Sequence, residues 1–224
     1  MGPDQAVTHS QIDTPLTHMD LTERRLNNSI HFLGLSLSLP AVLFLIIHVG
    51  ATGRGLATAA AVVYGAAVLA TFRFSAAYHL VSHPVWRERI RACDHAAIFV
   101  MIAGTYTPFA LFGVGGIMGW GLLVLVWLLA VVGVVLKLAW PRRWESASIL
   151  FYLAMGWIGL PAVSVLIDTL SEPALALLGA GGVLYTVGVG FHVWERLRFQ
   201  NVLWHCFVLV AAACHYVAIV GILT

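Results

Sequence analysis

Seven long apolar runs constrain this chain more than any other feature of it. They cover about 30–50, 57–80, 94–112, 117–138, 148–168, 174–194 and 202–223. A helix that crosses a bilayer needs roughly 20 apolar residues. The runs are continuous rather than alternating, which excludes a transmembrane barrel. Composition agrees, with 60% of the 224 residues apolar and only 10% charged. Soluble domains carry about 25% charged residues. A disordered chain is excluded, and a soluble enzyme is strongly disfavoured. The expected fold class is therefore all-α: a polytopic membrane protein with seven transmembrane helices in one domain, residues 23–224. Residues 1–22 are polar and contain Pro3 and Pro15. They lack the apolar core of a signal peptide and are expected to form a mobile tail. The net charge of +2 gives no reason to expect a nucleic-acid partner. Cys93, Cys206 and Cys214 are odd in number and lie in or beside apolar stretches, so no disulfide framework is expected.

Basic residues set the expected orientation. Arg24, Arg25, Arg87, Arg89, Arg91, Lys137, Arg142, Arg143, Arg196 and Arg198 fall on one side, ten of the twelve Lys and Arg. Arg54 is alone on the other, and Arg73 lies within a span. The bias predicts a cytoplasmic N-terminus and an external C-terminus. Trp86, Trp120, Trp140 and Trp144 fall at expected span borders and read as interface anchors. The segment Gly104-Thr105-Tyr106-Thr107-Pro108-Phe109 predicts a kink, because Pro108 removes a helix hydrogen bond that threonines can help replace.

Polar groups in hydrocarbon are costly, so each is a functional candidate; helix-packing hydrogen bonds are the alternative. Ser75 and His79 are four residues apart near the end of the second span and share a helix face. Asp94 opens the third apolar run. It reads either as a helix N-cap or as a metal ligand, a general base or the partner of Arg73. His95 points about 100° away from it. His205 opens the last span with Asn201 one turn before it, while His215 lies mid-span and reads as a packing hydrogen bond. Glu23, Asn27 and His31 recur every four residues and form one polar stripe. That stripe is either an interfacial lead-in or an outer support for a site. Arg73 either snorkels or pairs with an acid. His192 is a reserve ligand.

Under the expected topology, His79, Asp94 and His205 come from three spans to one membrane level, on the cytoplasmic side. Two imidazoles and a carboxylate with an open position for water are a zinc-type catalytic set. Zinc would acidify its water and polarise a carbonyl.

The residues together resemble the hemolysin III family, the bacterial branch of the progestin and adipoQ receptor (PAQR) proteins. The resemblance rests on Glu23 to Gly34 (ERRLNNSIHFLG), Ser75-Ala-Ala-Tyr-His79, Asp94-His-Ala-Ala-Ile-Phe with Ala103-Gly-Thr-Tyr-Thr-Pro-Phe109, Gly181-Gly-Val-Leu-Tyr-Thr-Val-Gly188, and Trp204-His-Cys-Phe-Val-Leu running to His215. It covers nearly all of the chain after residue 20. It implies a seven-helix protein with a cytoplasmic N-terminus, in the inner (plasma) membrane of a bacterium. The related adiponectin receptors hold an intramembrane zinc on three histidines, with an aspartate near the bound water. Alkaline ceramidases look like distant relatives that cleave lipid amides. By this resemblance His79 matches the second-helix histidine, Asp94 the aspartate and Ser75 the serine one turn before the histidine. His205 matches the second member of a His-x3-His pair, and Asn201 stands where the first would be. His215 matches another family histidine.

The resulting expectation is a Zn2+ site on His79, His205 and Asp94. Asp94 and Ser75 would be catalytic, and Asn201, His215, Glu23, Asn27, His31 and Arg73 would support the site. The candidate activity is hydrolysis of a membrane lipid amide or ester, as in ceramidases. The alternative is a non-enzymatic membrane-homeostasis or receptor-like protein with a structural metal. A haemolytic pore is disfavoured, because the polar residues cluster at one side.

Overall fold

The computed structural model describes residues 21–143, 145–194 and 196–224. The expected tail and Trp144 lie wholly or largely outside these residues. Eight α-helices occur among them, and they make seven membrane-length spans. Single-helix spans are α1 (Leu21–Ala51), α2 (Gly55–Leu80), α4 (Gly116–Ala139), α7 (Glu172–Val193) and α8 (Gln200–Leu223). The third span joins α3 (Pro84–Pro108) to a π-helical segment, Phe109–Val114. The fifth joins α5 (Glu145–Trp157) to α6 (Val163–Thr169) through a 3-10 turn, Leu160–Ala162. The all-α, seven-span expectation holds.

Two helices start well before their apolar runs. The first run begins at about residue 30, yet α1 begins at Leu21. The third begins at Asp94, yet α3 begins at Pro84, with His83 as its N-cap. Asp94 is therefore inside a helix, and its reading as an N-cap is corrected. Proline suits the first helical turn, where its missing N–H costs nothing. The turns that follow are charged, and Arg87, Glu88, Arg89 and Arg91 carry the helix beyond the apolar stretch.

Packing at mid-bundle depends on small residues. A Cβ added at Gly104 of α3 would collide with the Ala67 methyl of α2, and one at Gly65 would collide with Val42 of α1. Helices in lipid gain little from burying apolar surface and associate by such close approach. The interior divides into two clusters. One contains Val42, Leu45, Tyr64, Phe72 and Ile219 and joins α1, α2 and α8. The other contains Phe99, Val126, Ala130 and Met155 and joins α3, α4 and α5.

Where the sequence predicts a kink, the helix changes to a π segment directly after Pro108. The Thr107 hydroxyl donates to the Ala103 carbonyl at 2.9 Å and accepts from Trp127 Nε1 at 3.1 Å. The break in the fifth span is satisfied from α3. Tyr106 donates its hydroxyl to the Gly156 carbonyl at 2.7 Å and accepts the Gly159 N–H at 3.1 Å. Broken helices survive in lipid only where such partners exist.

Contacts mark the two ends of the bundle. At one, Glu88 and Arg91 of α3 meet Arg142 and Glu145 around the α4–α5 turn, with ion pairs of 3.0, 2.6 and 3.0 Å. At the other, Arg54 donates to the Leu223 carbonyl at the end of α8 at 2.8 Å. Gly104→Val should destabilise the detergent-purified protein by about 1–3 kcal/mol or more. A thermal melt checks this, with Gly121→Ala, which meets no atom within 4 Å, as the neutral control.

Candidate metal centre

α1 turns one stripe inward: Asn27, His31, Gly34, Ser38, Val42, Leu45 and Val49 are all buried. Spacings of three and four residues keep them on one helix face. The upper part of that stripe is polar. Asn27 is 0% exposed and His31 is 3% exposed. The interfacial lead-in reading of Glu23, Asn27 and His31 is therefore corrected at its two inner members. Glu23, in the first turn, is half-buried.

His31 from α1, His79 from the last turn of α2 and His205 from α8 converge. Each offers a ring nitrogen, and the three nitrogens lie within 4.8 Å of one another. The His31 ring stacks on His79 with centroids 4.4 Å apart and meets His205 edge-on at 4.1 Å. Asn27 holds the group from one turn above. Its Oδ1 is 2.8 Å from His205 Nδ1, and its Nδ2 is 3.1 Å from both ring nitrogens of His79. In this orientation His205 donates its Nδ1 hydrogen to Asn27 and leaves the Nε2 lone pair free. A carbonyl-type acceptor on one imidazole nitrogen is the usual way to fix a metal-ligating tautomer. His31 Nε2 is buried and has no hydrogen-bond partner. An orphaned imidazole nitrogen facing two other imidazoles is what a metal ion would satisfy. Three neutral nitrogen donors suit zinc, copper, iron or nickel better than magnesium or calcium. The group can hold a metal ion.

Asp94 is not a member of this trio. It is half-buried on α3, and its carboxyl meets the Ser75 side chain. Ser75 is buried one turn from His79 on α2. The Ser75–Asp94 pair is thus adjacent to the histidines. His215 lies elsewhere. Its Nε2 is 3.2 Å from the Leu178 carbonyl, and its ring packs on Tyr185 and Phe109. That is the packing hydrogen bond expected of it. Arg73 is exposed, lies over the Phe74 ring at 5.3 Å and forms no ion pair among the described residues. His192 packs against Trp204 with ring centroids 5.3 Å apart. Asn201 is half-buried one turn before His205 on α8.

The residue the sequence undervalued is His31. Its signal was the four-residue recurrence Glu23–Asn27–His31 running into an apolar helix at the level of His79 and His205. A cleft of about 510 Å3 reaches the trio between α1 and α2, and His31 and His79 form part of its wall. Phe32, Leu33 and Leu80 make the wall apolar, and Asn28 and Ser29 add polar groups.

Fold and centre together define a multi-pass integral membrane protein with a partly buried three-histidine group near one end. Residues 19–216 match the family described as Haemolysin-III related. The chain is 41% identical over 187 residues to Hemolysin-3 of Bacillus cereus, covering 84% of this chain and 85% of that protein. It is 37% identical over 196 residues to the Hemolysin-3 homolog of Bacillus subtilis, covering 88% and 92%. The human Monocyte to macrophage differentiation factor is 29% identical over 166 residues, covering 70% and 67%. The chain belongs to the haemolysin III family.

Asn27→Ala should weaken binding of added zinc(II) or cobalt(II) by about 10–100-fold. A competition titration with a coloured chelator checks this, and Asn28→Ala, which alters an exposed neighbour, should leave the affinity unchanged.

Proposed function

We propose that the protein is a zinc-dependent intramembrane hydrolase acting on a lipid amide or ester. One observation carries the reading: the three-histidine group sits at the wall of an open, largely apolar cleft rather than inside a closed shell. A purely structural site is normally closed by four protein ligands, whereas a catalytic one keeps a position for water or substrate. The excess of Lys and Arg at this end supports a cytoplasmic level for the group, in the plasma membrane of a bacterium.

His31, His79 and His205 would hold the ion. Bound there, zinc would supply Lewis acidity to the scissile carbonyl and lower the pKa of a water. The protein's own groups account for the rest. Asn27 fixes the orientation of His205 and His79. Phe32, Leu33 and Leu80 receive the acyl chain and exclude bulk water. Asp94 serves as general base, taking a proton from the attacking water and returning it to the departing amine or alkoxide as the carbon–heteroatom bond breaks. Ser75 holds the Asp94 carboxyl in place. Stabilising an oxyanion would require its hydroxyl to leave that carboxyl, so the positioning role fits the geometry better. Of the roles expected of Asp94, ligand and general base, this reading keeps the base, and His31 takes the place of third ligand.

The test begins with elemental analysis of protein purified without chelators. About one zinc per chain is expected, lost in His31→Ala, His79→Ala and His205→Ala but kept in His215→Phe. Turnover of N-acyl sphingoid amides and fatty-acid esters with fluorogenic leaving groups follows. Asp94→Asn should retain zinc and lose about 10²–10⁴-fold in rate. Metal retained in the triple histidine variant would sink the site. Turnover insensitive to both chelation and Asp94→Asn would sink the mechanism.

A further inference from the structure

Lys137 is in the last turn of α4, on its inward stripe of Gly119, Val126, Ala130 and Gly133, and is 2% exposed. Among the described residues its Nζ makes one hydrogen bond, to Ser148 Oγ of α5 at 3.3 Å. It belongs to none of the ion pairs among the described residues. Glu145, at the start of α5, is committed to Arg91 at 2.6 Å. A buried ammonium with three donors, one long hydrogen bond and no bonded carboxylate is expensive in a membrane protein.

That ammonium lines a cleft of about 310 Å3 between α4 and α5. Arg143, exposed on the α4–α5 turn, lines the same cleft, as does Ser148. The other walls are Phe99, Gly133, Leu136, Ala147 and Phe151. At Gly133 a Cβ would collide with the Phe99 ring, so the glycine is what lets that ring pack on α4. The amides of the first turn of α5 lack intrahelical partners and carry the positive end of the helix dipole. Two cations, a hydroxyl and a helix start thus surround one opening.

We propose that this cleft binds the phosphate of an anionic phospholipid, held by Lys137 and Arg143. The apolar walls and position favour a lipid over free phosphate. Exposed Leu136 of α4 lines the opening, and exposed Val132, one turn before it on the same helix, would carry acyl chains with it toward the membrane interior. Exposed Trp140, one residue past α4, marks the headgroup level. Inorganic phosphate would leave the exposed Leu136 and half-buried Phe151 side chains that line the cleft without a partner. Glu145 opposes an anion, but its charge is already met by Arg91. The site is independent of the histidine centre, and its fate does not depend on hydrolase activity.

The experiment uses the full chain, delipidated in detergent. Native mass spectrometry and a fluorescent-lipid titration compare phosphatidylglycerol with phosphatidylcholine, with inorganic phosphate as competitor. Saturable preference for phosphatidylglycerol is expected, falling at least about tenfold in Lys137→Met. Arg143→Gln should give a smaller loss, and this exposed change keeps the test alive should Lys137→Met fail to fold. A thermal melt decides that point. Failure of millimolar phosphate to compete would identify the lipid as the source. Competition by phosphate alone would keep the anion site but assign it to the free ion, overturning the lipid. Equal binding of both lipids, or unchanged preference in both variants, would overturn the site altogether.

Discussion

The amide of Asn27 is the interaction on which one end of this bundle depends. It is fully buried, with its oxygen on His205 and its nitrogen on His79. An amide in that position left unpaired would cost roughly 1–3 kcal/mol for each group. Using both of its ends ties α1 to α2 and to α8 at a single point. The tie adds to the packing of α1, whose apolar span is 28% buried. Further down, α1 is held by Tyr216 of α8, whose hydroxyl donates to the Ala41 carbonyl at 2.7 Å. Bundle closure and the histidine centre are therefore built from the same residues.

The two interior clusters share α3 as a wall. Its Ser75-facing Asp94 looks toward α2 and the histidines, while the main chain at His95 accepts the Tyr152 hydroxyl of α5 at 2.9 Å. At adjacent positions α3 thus faces α2 with a side chain and braces α5 with its main chain. The same geometry separates the two polar sites of this end. The histidine centre opens between α1 and α2, and the Lys137 cleft opens between α4 and α5. The charged turns of α3, with Glu88 and Arg91 anchored to the α4–α5 turn, stand between them.

Hydropathy made the seven spans legible because lipid leaves the chain no alternative to helices of that length. It located the membrane portion of each helix, not the helix. At α1 and α3 the chain stays helical for about nine and ten residues outside the apolar runs that begin near residue 30 and at residue 94. The histidines sit near that junction, which is why His31 looked like part of an amphipathic approach and Asp94 like a cap. Depth grouped His79, Asp94 and His205, and the structure brings the two histidines together with His31 in the place expected of Asp94. Depth could not reveal which face of α1 turns inward. A lone helix with polar residues every four positions can present them to water or to neighbours, and only the packing of Gly34 against Phe72 and of Val42 against Gly65 fixes that choice. His215 was legible for the opposite reason: ten residues along α8 place it about 15 Å from His205.

A site of three neutral imidazoles raises an electrostatic question in hydrocarbon. A divalent ion on such ligands keeps its full double charge, and a low dielectric penalises that charge heavily. A carboxylate ligand would relieve the charge but would occupy the position that substrate needs. In the proposed hydrolase Asp94 would ease the conflict from α3, where its carboxyl meets Ser75 and would act through space on an ion held by the trio. Ser75 then does more than fill a gap, since its hydroxyl meets that carboxyl beside the cluster. The cleft walled by Phe32, Leu33 and Leu80 keeps the surroundings apolar, which strengthens each of these interactions relative to water. The same apolar wall that makes the charge costly is what makes a nearby, unligated carboxylate effective.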